Sequence, residues 1–420
     1  MRSGGRKSWL LAAYVVVAIF IVSRIVAVGL SDFYSPRLPE LPSDQADEAR
    51  AWDQRNASAW RERAANPSLA DAVRNEARRQ SLLHNPTAGD LLAQIAPPQG
   101  EDAAAATRIA LALKLRPADA QLAVDAARYY LSQQRLDESL RLWNTALSLD
   151  VTLGSQLFPV LLAVLEDASL RAQLTPVVAS QPKWWQPFFR YVAENAFSVA
   201  NLRELLRMTR AVRPASDEER GLVVQRLQRE NLWGDAYVEW LNQQPTEALE
   251  RVGLLYNGDF SQLPVQQPGF DWRFADLGGV KIAIESTYGT GGKGALHLVF
   301  RGDHPITDYV AQYLVLSPGR YRLDGRFRID SLTGNEGVIW QLQCVGEFAQ
   351  RTTLTERLLG LAEWQKFSAE FVVPAAGCAA QRLALRAVAE VGSAIQLRGD
   401  LWFDDLTIQR SESRRSGSRK

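Results

Sequence analysis

The sequence predicts a multidomain chain of α plus all-β class. It should contain an N-terminal transmembrane helix, an α-helical repeat region and a C-terminal antiparallel β-sandwich. Three observations carry this reading. A nearly unbroken apolar run extends from Trp9 to Leu30. From about Asp44 to Leu255, apolar residues recur among Ala, Leu, Glu, Arg and Gln at the three- and four-residue spacing of a helix. After Leu255 the period falls to two, and Gly, Tyr and Thr become more frequent.

At 420 residues the chain has room for two or three domains of roughly 100–200 residues each. Its 46% hydrophobic and 23% charged content is ordinary globular composition and excludes wholesale disorder. With 48 basic and 47 acidic side chains the net charge is +1, which excludes bulk nucleic-acid binding. Three His and two Cys cannot build a multi-His or multi-Cys metal centre. The basic residues are 41 Arg against 7 Lys. Guanidinium forks suit carboxylates and phosphates and stack on aromatic or sugar faces, although an Arg-favouring genome gives the same bias.

The apolar run reaches roughly 33 Å at ~1.5 Å per residue, enough for a ~30 Å hydrocarbon core. Arg2, Arg6 and Lys7 before it, with Ser31-Asp32 after it, orient the N-terminus to the cytoplasm. Arg24 interrupts the run near its exit end, where a long stem snorkels to the interface. Ala27-Val28-Gly29 also resembles a small-x-small cleavage site, so a removed signal peptide is the alternative to a retained anchor. Either way the body is carried across the membrane. The Pro-containing stretch Tyr34–Pro42 reads as an extended, semi-rigid spacer.

Within the helical region Ala105, Ile109, Ala112 and Pro117 recur 34 residues later as Ser139, Trp143, Ala146 and Val151. This period and its small–large–small spacing resemble the tetratricopeptide repeat. Ala123, Ala126, Ala127 and Tyr130 fall where the first helix of that motif packs, and Leu232–Ala236 with Trp240 resembles a degenerate copy. Glu76–Pro86 is expected to hold a further partial helix pair. Small residues let paired helices approach closely, and stacked pairs form a solenoid able to hold an extended protein partner. A generic helical bundle is the plainer alternative. The aromatic patch Lys183–Tyr191 reads as core or as a seam between helix pairs, with Pro187 in a first helical turn.

Candidate strands are Val280–Ser286, Ala295–Arg301, Tyr309–Leu316, Arg320–Asp330, Val338–Val345, Gln365–Val373, Arg382–Val388 and Asp400–Gln409. Short strands with regular turn signals argue for an antiparallel sandwich or jelly roll. Tyr256–Phe260 opening the domain, Phe270-Asp271-Trp272 after it and Leu401–Ile408 closing it resemble a carbohydrate-binding module of the family 4/9 type. Leu316–Tyr321 and Trp364–Phe367 fit that jelly roll too. With the anchor and repeat-like helices in front, the whole chain resembles periplasmic proteins associated with bacterial exopolysaccharide systems. The resemblance implies a structural calcium with Asp405 as an oxygen ligand, although Ser261 stands where an acidic residue is common. Outside the cytoplasm, Cys344 and Cys378 most simply form a disulfide, two buried thiols being the alternative.

No catalytic constellation appears, so the expectation is a protein that is not an enzyme. Gly289–Gly294 satisfies G-x-G-x-x-G, but a strand pattern follows it where a dinucleotide site needs a helix. His297 and His304 read as polar surface. Asp404 and Asp405, adjacent in a strand, should point to opposite faces. Alternation instead leaves Arg322, Asp324, Arg326 and Arg328 opposite Leu323, Phe327 and Ile329. By the same parity Gln341 and Gln343, and Arg382 and Arg386, oppose apolar neighbours. If these strands share a sheet, one face carries Arg and Gln able to fork onto an acidic polysaccharide. A solvated face or a domain contact is the plainer reading.

The implied divisions are residues 1–8, a cytoplasmic basic N-terminus; 9–30, the anchor or signal peptide; and 31–43, the spacer. Residues 44–253 form the helical domain, 254–409 the sandwich and 410–420 a basic disordered tail. The expected protein is a single-pass component of a bacterial inner membrane with its body in the periplasm. Its partners would be the membrane, proteins held by the helical repeats and a polysaccharide, with no nucleic acid. A structural adaptor whose sandwich touches only protein is the alternative.

Overall fold

The computed structural model describes residues 4–34, 44–88, 103–249, 252–264, 268–291, 293–304, 308–334, 337–346, 350–388 and 395–411. The chain divides into two compact units, Met1–Trp185 and Gln186–Lys420.

In the first unit, α1 (Gly4–Tyr34) contains the apolar stretch Ala13–Tyr34, of mean hydropathy 2.4 and long enough to cross a membrane or to serve as a signal sequence. The helix continues through Ser31-Asp32 to Tyr34, so the expected spacer begins later than residue 31, and residues 35–43 lie outside the described set. α2 (Asp44–Trp52) then packs back along α1. Ser31 Oγ donates to the Ala49 carbonyl at 2.7 Å, and Asn56 Nδ2 donates to Ser31 Oγ at 2.8 Å. Arg24 consequently finds a carboxylate, Asp53, at 3.5 Å.

α3 (Ala57–Ala65) pairs with α4 (Asp71–His84), where Ser81 Oγ donates to the Ala57 carbonyl at 2.8 Å. Glu76–Pro86 is therefore not a helix pair. No Gly or Pro interrupts the chain before Pro86, so a single helix runs to His84. α5 (Ala103–Leu115), α6 (Ala120–Ser132) and α7 (Leu136–Leu149) follow, and α8 (Gly154–Glu166) begins one 34-residue period after α6. Ala105, Ile109 and Ala112 are buried, as are Ser139, Trp143 and Ala146 one period later. Ser139 shows why a small residue stands there: its hydroxyl reaches the Ala127 carbonyl of the facing helix at 2.9 Å. The α6–α7 turn closes through left-handed Gln134 (φ 59°), with Arg135 N–H on the Tyr130 carbonyl. α9 (Thr175–Ser180) follows.

Trp184, Trp185, Phe188 and Phe189 are each no more than 1% exposed, which makes the aromatic patch core. Pro187 is the third residue of α10 (Trp185–Asn195), where a missing N–H breaks no helical bond.

The second unit continues with α11 (Val199–Val212), α12 (Asp217–Arg229), α13 (Trp233–Leu241) and α14 (Thr246–Leu249). A capping box of Ser216 and Glu219 starts α12, and the fully buried Glu219 pairs with Arg213 at 2.5 Å. The α12–α13 turn closes as the α6–α7 turn does, through left-handed Asn231 (φ 59°) and Leu232 N–H on the Leu227 carbonyl.

Ten strands then form two antiparallel sheets: β1 (Arg273–Phe274), β2 (Val280–Ser286), β3 (Gly294–His304), β4 (Asp308–Leu314), β5 (Gly319–Gly334), β6 (Val338–Cys344), β7 (Arg351–Thr353), β8 (Gly360–Val373), β9 (Gln381–Ala387) and β10 (Ile395–Arg410). The first sheet has the order β1-β4-β9-β6-β7 and the second β2-β3-β10-β5-β8. Their inner faces share a core that includes Trp272, Leu298, Leu323, Trp340, Leu383, Leu401 and Phe403. The opening and closing phrases meet: Leu406 N–H donates to the Gly258 carbonyl at 2.9 Å, and the Trp272 indole to the Asn257 carbonyl at 2.9 Å. A Cβ at Gly258 would lie 2.0 Å from the Leu406 carbonyl oxygen, so the contact requires glycine. Cys344 and Cys378 form a disulfide.

The helices bear directly on the sandwich within this unit. Trp233 packs on Tyr313 (5.1 Å between ring centroids), Tyr237 on Phe270 (5.0 Å) and Trp240 on Tyr256 (5.0 Å). Gly269 carries no side chain because Trp240 fills the space a Cβ would take, 2.4 Å away.

Candidate functional site

Register sets three side chains abreast on the outward face of the second sheet. Trp402 of β10 lies opposite His297 of β3 and Arg328 of β5. His297 and Trp402 stack 3.6 Å apart at 7°. The Arg328 guanidinium sits 4.8 Å from the Trp402 ring, 4.2 Å from Tyr288 and 5.6 Å from Trp364. Arg326 lies 4.8 Å from Trp364. Cations over ring faces in this way gain from the ring quadrupole.

The turn after β2 folds over this stack. Tyr288, 58% exposed, covers Arg328, which is 4% exposed. The Tyr288 hydroxyl donates to Glu363 at 2.6 Å, and this bond holds the phenol above its ordinary pKa. Trp364 Nε1 donates to the Tyr288 carbonyl, Arg326 Nη1 to the Gly289 carbonyl and Arg328 Nη1 to Thr287 Oγ1. Gly289 turns with φ of +80°, and a Cβ there would come within 2.9 Å of Trp364. His297 has Glu285 Oε2 2.7 Å from Nδ1 and Asp400 Oδ1 2.8 Å from Nε2. Hydrogen bonds from Lys281 first, then His297, hold the Glu285 carboxyl below its ordinary range. The side chain of His304 is outside the described residues, so the pairing of the two histidines is untested.

Arg322, Arg326 and Arg328 of this face each meet carboxylate. Arg322 pairs with Asp324 (2.7 Å), Arg328 with Asp330 (2.7 Å) and Arg326 with both Asp404 and Asp405. The last pair corrects the expectation that Asp404 and Asp405 point apart. The β10–β5 register shifts between Asp404 and Thr407, and Asp405 takes a left-handed φ of 53°. A bulge of this kind breaks alternation and re-aims one side chain. Burial raises the Asp404 pKa against the opposing pull of Arg326. Arg326, Asp324, Lys366, Phe367, Ser368 and Asp405 line a cleft of about 490 Å³.

A calcium held on Asp405 does not fit these residues. Its carboxylate oxygen is 2.9 Å from the Arg326 guanidinium, which is already the counter-charge. The cleft between the opening phrase and the last strand is lined by Asp259, Ser261 and Thr407 without Asp405. Among the described residues no three His, Cys, Asp or Glu gather as a metal site.

Gln341, Gln343, Arg382 and Arg386 lie elsewhere, on the outward face of the first sheet. The expected candidates therefore do not share one face. Parity decides whether a side chain points in or out, but hydrogen bonding decides which sheet a strand joins. Gln343 of β6 sits opposite Arg382 of β9 and Arg351 of β7. Asp308 pairs with Arg382 and, at 3.5 Å, with Arg386, whose Nη1 also donates to Gln341 Oε1 at 3.2 Å. Burial lowers the Arg382 pKa, and repulsion from Arg273 and Arg386 lowers it further. Burial and then Arg351 do the same to Arg386.

Sequence reasoning missed the stack of His297, Trp402, Trp364 and Tyr288, and it missed Arg273 and Arg351. β1 and β7 are too short to show a period. Trp364 precedes the regular part of β8, where the register with β5 slips.

No protein-family model and no curated protein matches the chain. Among solved structures, one described as "CBM4 structure and function" is 16% identical, covers 37% of this chain and 99% of its own, and gives a TM-score of 0.27. A "Family 16 Carbohydrate Binding Module-2" is 17% identical over 38% of this chain and 100% of its own, also with a TM-score of 0.27. The CBM22-1 xylan-binding domain of Paenibacillus barcinonensis Xyn10C is 12% identical over 34% and 86%, with a TM-score of 0.26.

Proposed function

We propose that this chain is a non-enzymatic, membrane-tethered scaffold of a bacterial exopolysaccharide or cell-envelope glycan assembly or export system. Its anchor is α1 in the inner membrane and its body lies in the periplasm. The sandwich contacts glycan, while the tetratricopeptide-like helix pairs recruit protein partners. The observation that carries the glycan reading is the outward face of the second sheet. There the half-buried Trp364 and exposed Tyr288 stand beside Arg326 and a row of carboxylates. Sugar rings are bound by aromatic faces flanked by polar groups that fix their hydroxyls. The small-residue crossing at Ser139 and the matching turns of two helix hairpins support the repeat reading.

The test is calorimetric titration of the full-length protein in detergent with cellohexaose, repeated on Trp364→Ala. Saturable binding that weakens about tenfold in the variant is expected, since a stacked aromatic contributes about 0.5–1.5 kcal/mol beyond its buried area. One observation favours a second reading, a structural adaptor whose sandwich makes only protein contacts. Arg322, Arg326 and Arg328 of that face are already paired with the protein's own carboxylates. The absence of heat from neutral and acidic oligosaccharides alike would favour the adaptor.

A further inference from the structure

The two sheets differ in charge. On the second, Arg322, Arg326 and Arg328 are each paired among Asp324, Asp404, Asp405 and Asp330. On the first, Arg273, Arg351, Arg382 and Arg386 gather with Asp308 as the carboxylate that pairs with any of them among the described residues. Arg273 and Arg351 are exposed. Arg273 lies 5.6 Å over the Tyr313 ring and Arg351 stands opposite Gln343. Burial first, and then repulsion from Arg273 and Arg351 respectively, lowers the pKa values of Arg382 and Arg386. An anion laid across the face would relieve that repulsion.

We infer that the part of the outward face of the first sheet that α13 leaves uncovered is an acid-selective glycan surface, on which Arg273, Arg351 and the Arg382–Arg386 pair take carboxylates of a polyuronate chain. The inference rests on the glycan reading above and moves the acidic ligand away from Arg322, Arg326 and Arg328.

Three features select this ligand. Asp308 bridges Arg382 and Arg386, so the protein's own carboxylate occupies the fork as a ligand carboxylate would. Arg382 and Arg386 converge on Asp308, whereas Arg351 stands two strands from Arg382, roughly 10 Å across the sheet. Arg351 therefore carries the cationic face beyond the reach of the one carboxylate that Arg382 and Arg386 share. Gln341 and Gln343 lie between the arginines, and their amides offer a donor and an acceptor to sugar hydroxyls.

The experiment titrates the full-length protein in detergent with unesterified oligogalacturonate, with the same oligomer methyl-esterified, and with cellohexaose. Arg351→Gln and Arg273→Gln remove exposed cations that make no ion pair among the described residues, and Trp364→Ala serves as the control on the other sheet. Preference for the free acid is expected, with a loss of about tenfold or more in each arginine variant and weakening at higher salt. Trp364→Ala should leave that affinity unchanged, and cellohexaose binding should survive both arginine substitutions. Equal affinity for acid and ester overturns the inference, as does acid binding that Trp364→Ala weakens and Arg351→Gln does not. Displacement by inorganic polyphosphate at equal affinity overturns selectivity for an acidic sugar. Cellohexaose binding without oligogalacturonate binding rejects the acid-binding surface and leaves the glycan reading standing, whereas silence toward all three sugars rejects both.

Discussion

Arg326 draws together two carboxylates that simple strand alternation separates, because Asp405 sits in a left-handed bulge one residue after Asp404. The cost falls on Asp404, which is 3% exposed and whose carboxyl is raised mainly by burial, with Arg326 pulling the other way. A group with a raised folded-state pKa binds its proton more readily folded than unfolded. Its contribution is therefore most favourable below the ordinary aspartate range and is lost as pH rises through the raised value. Asp404→Asn removes the ionisation and leaves Arg326 its second partner, Asp405. The variant should gain urea resistance relative to wild type as pH is raised from about 4 to about 7, with the two converging at the acid end. A wild type more stable than the variant at about pH 7, with the two again converging in acid, would show that the Arg326 ion pair outweighs burial. Glu285 behaves oppositely. Its depressed carboxyl supports the fold above the ordinary glutamate range and ceases to do so as pH falls through its lowered value.

Period-two reading found the long strands, because β5, β8 and β10 each bury alternate residues over many positions. It could not find the two-residue β1 or three-residue β7, whose arginines stand on the proposed acid-binding surface. Nor could it assign strands to sheets. Parity puts side chains of β5, β6 and β9 on one face only if the strands share a sheet, yet β5 pairs with β8 and β10, while β6 and β9 pair with one another. Long-range hydrogen bonding carries that information, and no single strand contains it. The cysteines were legible by elimination, and their bond closes a loop of 34 residues between the end of β6 and the approach to β9. Loop-closure entropy puts its contribution at about 3–4 kcal/mol. The paired substitution Cys344→Ala with Cys378→Ala should lower the unfolding free energy of the sandwich transition by that amount and its urea midpoint accordingly, and dithiothreitol should do the same to wild type. A midpoint unmoved by either treatment would remove the crosslink from the account of stability.

For the molecule, the consequential arrangement is that α12 and α13 belong to the same compact unit as the sandwich, Gln186–Lys420. The change of sequence period near Leu255 marks a change of secondary structure inside that unit. α13 brings Trp233, Tyr237 and Trp240 against Tyr256, Phe270 and Tyr313, and Gln228 Nε2 reaches the Gly269 carbonyl at 3.4 Å. Burial also raises the Tyr237 phenol, as a ring withdrawn from water requires. A glycan held by the sandwich and a protein held by these helices would thus act on one body, which is the mechanical requirement of a scaffold. Trp240 is the test of that unity. It is 5% exposed, stacks on Tyr237 and fills the space over Gly269. Trp240→Ala should cost about 3–5 kcal/mol, through lost burial and the cavity left behind. If helices and sandwich unfold together, hydrogen exchange in the full-length variant will accelerate in α12, α13 and the sandwich core strands alike. If only α12 and α13 accelerate while β5, β9 and β10 keep their protection, the sandwich is an independent folding unit and the helices a separable arm.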